Sequence, residues 1–137
     1  MCARVSPQKS DTWAFKFKGE KMYKRPMAFV CSPHSGKVQA NTKKAQEYSR
    51  IVFDKGYMPI APHLIFTQFL DDSIPEERSE AMKMNNVLIR KSHIMFVCGD
   101  IISEGMKTEM IYARSIGMTV VPLEGIIRIE EYLKGSN

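Results

Sequence analysis

The chain has 137 residues, 44% hydrophobic and 26% charged, the balance of one globular domain with a single modest core. No apolar run approaches the roughly 20 residues of a membrane span, and the N-terminus lacks the apolar h-region of a signal peptide, so a cytoplasmic protein is expected. The net charge of +5 is local: residues 1–26 carry seven Lys/Arg against Asp11 and Glu20, whereas residues 27–137 hold 13 basic and 13 acidic side chains. A neutral body gives no electrostatic argument for a nucleic-acid groove.

Residues 1–26 read as a basic N-terminal extension. Trp13, Phe15 and Phe17 alternate with polar residues before Gly19-Glu20. A short hairpin is one reading, a solvated and partly ordered tail another, and a nucleic-acid-binding arm a third. The domain proper is expected over 27–137. "MAFVC" (27–31) is short, apolar and bounded by prolines, which predicts a buried strand. The loop "SPHSGK" follows. Val38, Asn41, Ala45, Tyr48 and Val52 then mark one face of a helix that stops near Gly56.

A second strand is expected over 57–62, and "HLIFTQFLDD" is an apolar connection carrying polar groups. Ser73-Ile-Pro-Glu76 has the form of a capping box, so a helix should start there and run to about Lys91. "HIMFVCG" (93–99) predicts a third strand, "DIISEGMKTEMIYA" (100–113) opens a helix stopped by Gly117, "TVVPL" (119–123) is a fourth strand, and a short helix covers 126–134. Cys31 and Cys98 each end an apolar run and read as buried thiols rather than a disulfide framework. No Cys/His cluster has the spacing of a structural zinc site.

Strands alternating with helices predict a parallel sheet covered on both faces, and ligands of such sheets bind beyond the carboxyl ends of the strands. That rule selects the loops Ser32–Lys37, Pro62–Asp72 and Gly99–Met106. "SPHSG" can bind an anion or sugar hydroxyls at a helix N-terminus, or be an ordinary loop. His63 can hydrogen-bond a substrate or be a structural residue. Asp71-Asp72 can serve chemistry or favour the next helix start. Glu109 lies about 60° off the Met106–Met110–Ala113 face at roughly 100° per residue, and so is either a core-edge charge or a desolvated reactive carboxylate.

The run Gly105-Met-Lys-Thr-Glu109-Met-Ile-Tyr112-Ala113-Arg-Ser-Ile-Gly117, followed by "TVV" and preceded by "FVCSPHSG" after the first strand, resembles the nucleoside 2-deoxyribosyltransferase superfamily. With "APHLIFTQFLDD" it is closer still to an uncharacterised bacterial and phage branch of domains of unknown function. The resemblance covers residues 27–123 or so. It implies an α/β fold, a small Rossmann-like or flavodoxin-like three-layer sandwich with a parallel sheet of four to five strands. It also implies hydrolysis or transfer at the N-glycosidic bond of a (deoxy)nucleoside or nucleotide, with Glu109 attacking the anomeric carbon as in a retaining glycosidase. Ser32, His34, Ser35 and Gly36 would contact the sugar or its phosphate, Ser103, Gly105 and Met106 would shape the pocket, and Asp100 would hold the base or a ribose hydroxyl. Two positions depart from the family. A tyrosine that partners the nucleophile is matched by Phe29, and an acidic acid–base residue is matched by His93, which can do acid–base work near neutral pH. His63 and Asp72 are further candidate acids. The resemblance implies a homo-oligomer and neither a metal nor an organic cofactor. The alternative is a non-catalytic protein that binds a nucleotide or nucleotide-derived ligand on the same loops, as a sensor or by sequestering it.

Overall fold

The computed structural model describes residues 24–136; the expected aromatic hairpin of the leader lies outside them. Strand and helix alternate as β1 (Met27–Cys31), α1 (Val38–Asp54), β2 (Met58–Ile60), α2 (Pro75–Lys91), β3 (Ile94–Val97), α3 (Glu104–Ser115), β4 (Thr119–Pro122) and α4 (Leu123–Gly135). The four strands form one parallel sheet in the order β2-β1-β3-β4. This is the three-layer α/β sandwich expected from the sequence, with four strands among the described residues.

β1 is central, pairing Met27 with Met58 on one side and Ala28 with Ile94 on the other. The chain leaves β1 toward one edge of the sheet and returns on the other side of it. The crevice between β1 and β3, at their carboxyl ends, is therefore the topological switch point where ligands of such sheets sit.

Successive strand residues point to opposite faces, so β1 feeds two cores. Ala28 and Val30 pack with Val52, Phe96, Cys98 and Leu123, beneath α1 and α4. Phe29 and Cys31 pack with Ile89, Met95, Met106 and Ala113, beneath α2 and α3. All four of these β1 side chains are fully buried, which explains why the strand reads as apolar throughout rather than alternating.

Element boundaries depart from the sequence reading where local chemistry competes. β2 ends at Ile60, and the connection after it folds into two 3-10 turns, Pro62–Leu64 and Phe66–Gln68. The capping box at Ser73 does not form. Ser73 donates its N–H and hydroxyl to Asp71 Oδ1 instead, at 2.9 and 2.6 Å, so Ile74 takes the cap position and Pro75 begins α2. α4 starts three residues earlier than expected because Leu123 is drawn fully into the core. Gly117, at φ +77°, ends α3 in a left-handed turn open to glycine.

Arg25, counted with the leader by charge, is part of the domain. Its Nη1 donates to the carbonyls of Phe53 (2.8 Å) and Tyr57 (2.9 Å), and its guanidinium lies 3.9 Å over the Phe53 ring. It thereby adds a second donor to a carbonyl in the last turn of α1 that already accepts from Gly56 N–H at 2.9 Å, where a cation also favours the helix dipole. No helix among the described residues is long and apolar enough to cross a membrane.

Candidate active site

A cavity of about 420 Å³ opens at the switch point on the α2/α3 side of the sheet. Its walls come from the loop after β1, the two 3-10 turns after β2, the first half of α2 and the start of α3.

α3 is fixed at its start by Ser103, whose Oγ accepts from Met106 N at 3.3 Å. Six positions on, Glu109 stands on the edge of the apolar face between Met106 and Ala113 and is only 9% exposed. Asn85 of α2 donates to Glu109 Oε1 at 3.4 Å, while Oε2 has no partner. Burial pushes the carboxyl up to about 7 from an ordinary 4.5, against a smaller opposing effect of the neighbouring Cys31 thiol. Burial likewise drives the Cys31 thiol far up, so it stands beside Glu109 as a neutral thiol, its S–H directed to the Met106 carbonyl at 3.8 Å, and not as a nucleophile.

Two histidines form the opposite wall. The rings of His34 and His63 stack with centroids 4.7 Å apart and planes 10° from parallel. Asn41 Nδ2 holds the His34 and Ser35 carbonyls at 3.2 and 3.1 Å, and Thr67 Oγ1 donates to the His63 carbonyl at 2.6 Å. Burial, helped by His34 and opposed by Asp72, lowers His63 to about 4. It is a neutral imidazole at pH 7, able to donate at one nitrogen and accept at the other.

Among the described residues, four buried side-chain polar atoms have no hydrogen-bond partner: Ser32 Oγ, His34 Nδ1, Asn85 Oδ1 and Glu109 Oε2. All four residues line this cavity. Buried polar groups are nearly always paired, and each unpaired one costs about 1–3 kcal/mol. Their convergence on one concavity is the mark of a site shaped for a small polar ligand.

Ser32, His34, Ser35, His63, Asp72, Ser103, Gly105, Met106 and Glu109 therefore come together, as the sequence reading grouped them. Three candidates do not join them. His93 lies at the amino end of β3, where its exposed ring accepts from Met27 N–H at 3.1 Å. The strand's direction puts it at the far end of the sheet from Glu109, so it cannot serve as the acid–base group. Asp100 is exposed and faces a second, neighbouring concavity. Gly36 takes φ +92° in the turn before α1 and is exposed outside the cavity wall. Phe29 is fully buried in the core, and the hydrogen bond to the carboxylate comes from Asn85 instead. Asn85 was missed by sequence reasoning. The signal was present: Asn85-Asn86 are two poor helix formers in the middle of a 17-residue helix.

The cavity wall is acidic, with Asp71, Asp72, Glu77, Glu104 and Glu109 against Arg78. No group of three or more His, Cys, Asp or Glu side chains suited to a metal ion occurs among the described residues.

Among solved structures, the fold is similar to that of a 2-deoxyribosyltransferase from the psychrotolerant bacterium Bacillus psychrosaccharolyticus, with a TM-score of 0.54 and 20% identity over 70% of each chain. At that identity the likeness concerns the fold. No curated protein matches the chain. Residues 26–122, which run from the proline before β1 to the end of β4 and so take in every wall of the cavity, match the family described as "Domain of unknown function (DUF7768)", and to that family the chain belongs.

Proposed function

We propose that the protein cleaves or exchanges the N-glycosidic bond of a (deoxy)nucleoside or nucleotide, with Glu109 as nucleophile. The observation that carries this reading is the unpartnered Glu109 Oε2, buried at the wall of a polar cavity with its other oxygen held by Asn85. A carboxylate fixed at one oxygen presents the second as an oriented nucleophile. Oε2 forms a bond to the anomeric carbon as the carbon–nitrogen bond to the base breaks. The bonding pair leaves with the base, which takes up a proton. Water or a second base then attacks the same carbon, expels Glu109 and loses a proton. In this reading Ser32 Oγ and Asn85 Oδ1 bind sugar hydroxyls, and the stacked His34 and His63 rings hydrogen-bond the base. The fold shared with a 2-deoxyribosyltransferase is consistent with this chemistry.

A second reading, a pocket that binds a nucleotide-derived ligand without turnover, is favoured by Phe29 in place of a hydroxyl-bearing neighbour and by a carboxyl half-protonated near pH 7. The test is a chromatographic screen of nucleosides, deoxynucleosides and their 5′-monophosphates, with and without a free acceptor base, on wild type and Glu109→Ala. Base release by wild type alone supports the first reading. Ligand-induced thermal shifts without turnover in either protein support the second. We take the working form to be a homo-oligomer, for which solvent-facing Phe69 and Met82 beside the cavity supply apolar surface; sedimentation analysis tests it.

A further inference from the structure

Glu109 is buried without a countercharge. Among the described residues it accepts one hydrogen bond, from Asn85, and forms no salt bridge. Buried carboxylates are ordinarily paired with a cation. The wall around it has none to spare. Asp71, Asp72 and Glu77 also stand there outside any salt bridge among the described residues, and Glu104 is taken by Lys107. Arg78 is the one cation of the wall among the described residues, and it is exposed. The amino ends of α2 and α3, worth about half a unit charge each, do not reverse the balance.

The interior is built for a polar, planar ligand. Ser32 and Glu109, 2% and 9% exposed, each bring an unpartnered oxygen to the wall. His34, His63 and Phe66 add aromatic faces, which suit a flat ring and, at Phe66, attract a cationic one. Two of the acids expected of the site are missing from it. His93 lies at the other end of β3, and His63, lowered to about 4 chiefly by burial, holds no spare proton at pH 7. A base that has to be protonated as it leaves finds little help there.

We propose that the cavity takes nucleosides whose base is joined to the sugar through a cationic nitrogen, of which a pyridinium nucleoside is the simplest. This rests on the Glu109 reading and narrows its substrate class. The ligand's positive charge is the countercharge that Glu109 lacks, and the carboxylates of the wall draw it in. Charge on the nitrogen also takes the place of the proton. Oε2 bonds to the anomeric carbon, the carbon–nitrogen bond breaks, and its electron pair cancels the charge on nitrogen. The base departs neutral with no proton taken up. Two opposite charges vanish in that step, which burial favours. Water then attacks the same carbon, frees the carboxylate and gives one proton to solvent.

The test uses the full chain with nicotinamide riboside and its neutral 1,4-dihydro form, each as ribo- and 2′-deoxyribonucleoside, beside the common nucleosides. Calorimetric titration of Glu109→Gln reads binding without turnover. Asp72→Asn/Glu77→Gln removes charge and leaves an acceptor for Asp71 N–H, which the Glu77 carboxylate holds. The pyridinium form is expected to bind at least about tenfold tighter than the dihydro form, with salt and the double substitution both narrowing the gap and the melting temperature unchanged. Wild type should release nicotinamide with a kcat/KM at least about tenfold above that for the common nucleosides, after subtraction of spontaneous loss. Equal binding of the charged and neutral forms overturns the inference, as does a gap that the double substitution leaves intact, or no binding by either form. Faster release from the common nucleosides overturns it too, and leaves Glu109 as nucleophile. Preferential binding of the cation without release by wild type leaves the ligand class standing and removes the nucleophile.

Discussion

Ala28 and Val30 face one layer of helices and Phe29 and Cys31 face the other, yet among the described residues only the second layer contains a buried carboxylate. Beneath α1 and α4 the core is Val52, Phe96, Leu123 and their neighbours, with no charge inside it. Beneath α2 and α3 the same depth of burial holds Glu109 with a single weak donor. One face is closed by packing. The other gives up part of that packing to line a cavity with buried polar atoms that lack side-chain or backbone partners, which lowers stability.

The comparison breaks most sharply at two side chains. Glu109→Ala should reduce base release by about a thousandfold or more while leaving the fold intact, read by steady-state kinetics beside a melting curve. Phe96→Ala, on the closed face, should cost about 3–5 kcal/mol of stability in chemical denaturation, with activity per folded molecule unchanged.

A conservative change sharpens the contrast. Glu109 is held above its ordinary 4.5 at about 7, so the native state binds the extra proton. Its contribution to stability is fully present below 4.5 and is lost as pH rises through about 7. Glu109→Gln should therefore match wild type near pH 4.5 and exceed it at pH 8 by about 1–3 kcal/mol. Wild-type activity should rise through pH 7 as the nucleophile ionises, a profile that Asn85→Ala moves to higher pH by removing a donor to the anion.

The smallest effect separates the two cysteines. Cys31 and Cys98 are equally buried. Each alanine substitution should cost about 1 kcal/mol, but of the two only Cys31→Ala should also move the pH profile upward, because the Cys31 thiol, unlike that of Cys98, opposes the upward push on Glu109. An unchanged profile would mean that the thiol is mere packing.

The fold was legible because strand and helix periodicities differ and every strand was marked by prolines, glycines or charges at its ends. The helix ends were less so. Asp71 competes for Ser73, and Leu123 is pulled inward by a core that no local window contains. Most of the cavity wall followed from one rule, that loops after parallel strands converge. His93 failed that same rule: it begins its strand, and the resemblance alone had nominated it. Asn85 was hidden because a residue reaching sideways from a helix leaves no mark in a loop.

The clamp of Arg25 on the Phe53 and Tyr57 carbonyls sets where a truncation can begin. Cutting after residue 26 to remove the basic leader would also strip the guanidinium from the end of α1 and loosen the turn into β2. Any loss of nucleic-acid binding would then be confounded with loss of folding. Cutting after residue 23 removes five of the seven leader cations and leaves the clamp closed, so the leader's charge and the domain's integrity become separately measurable.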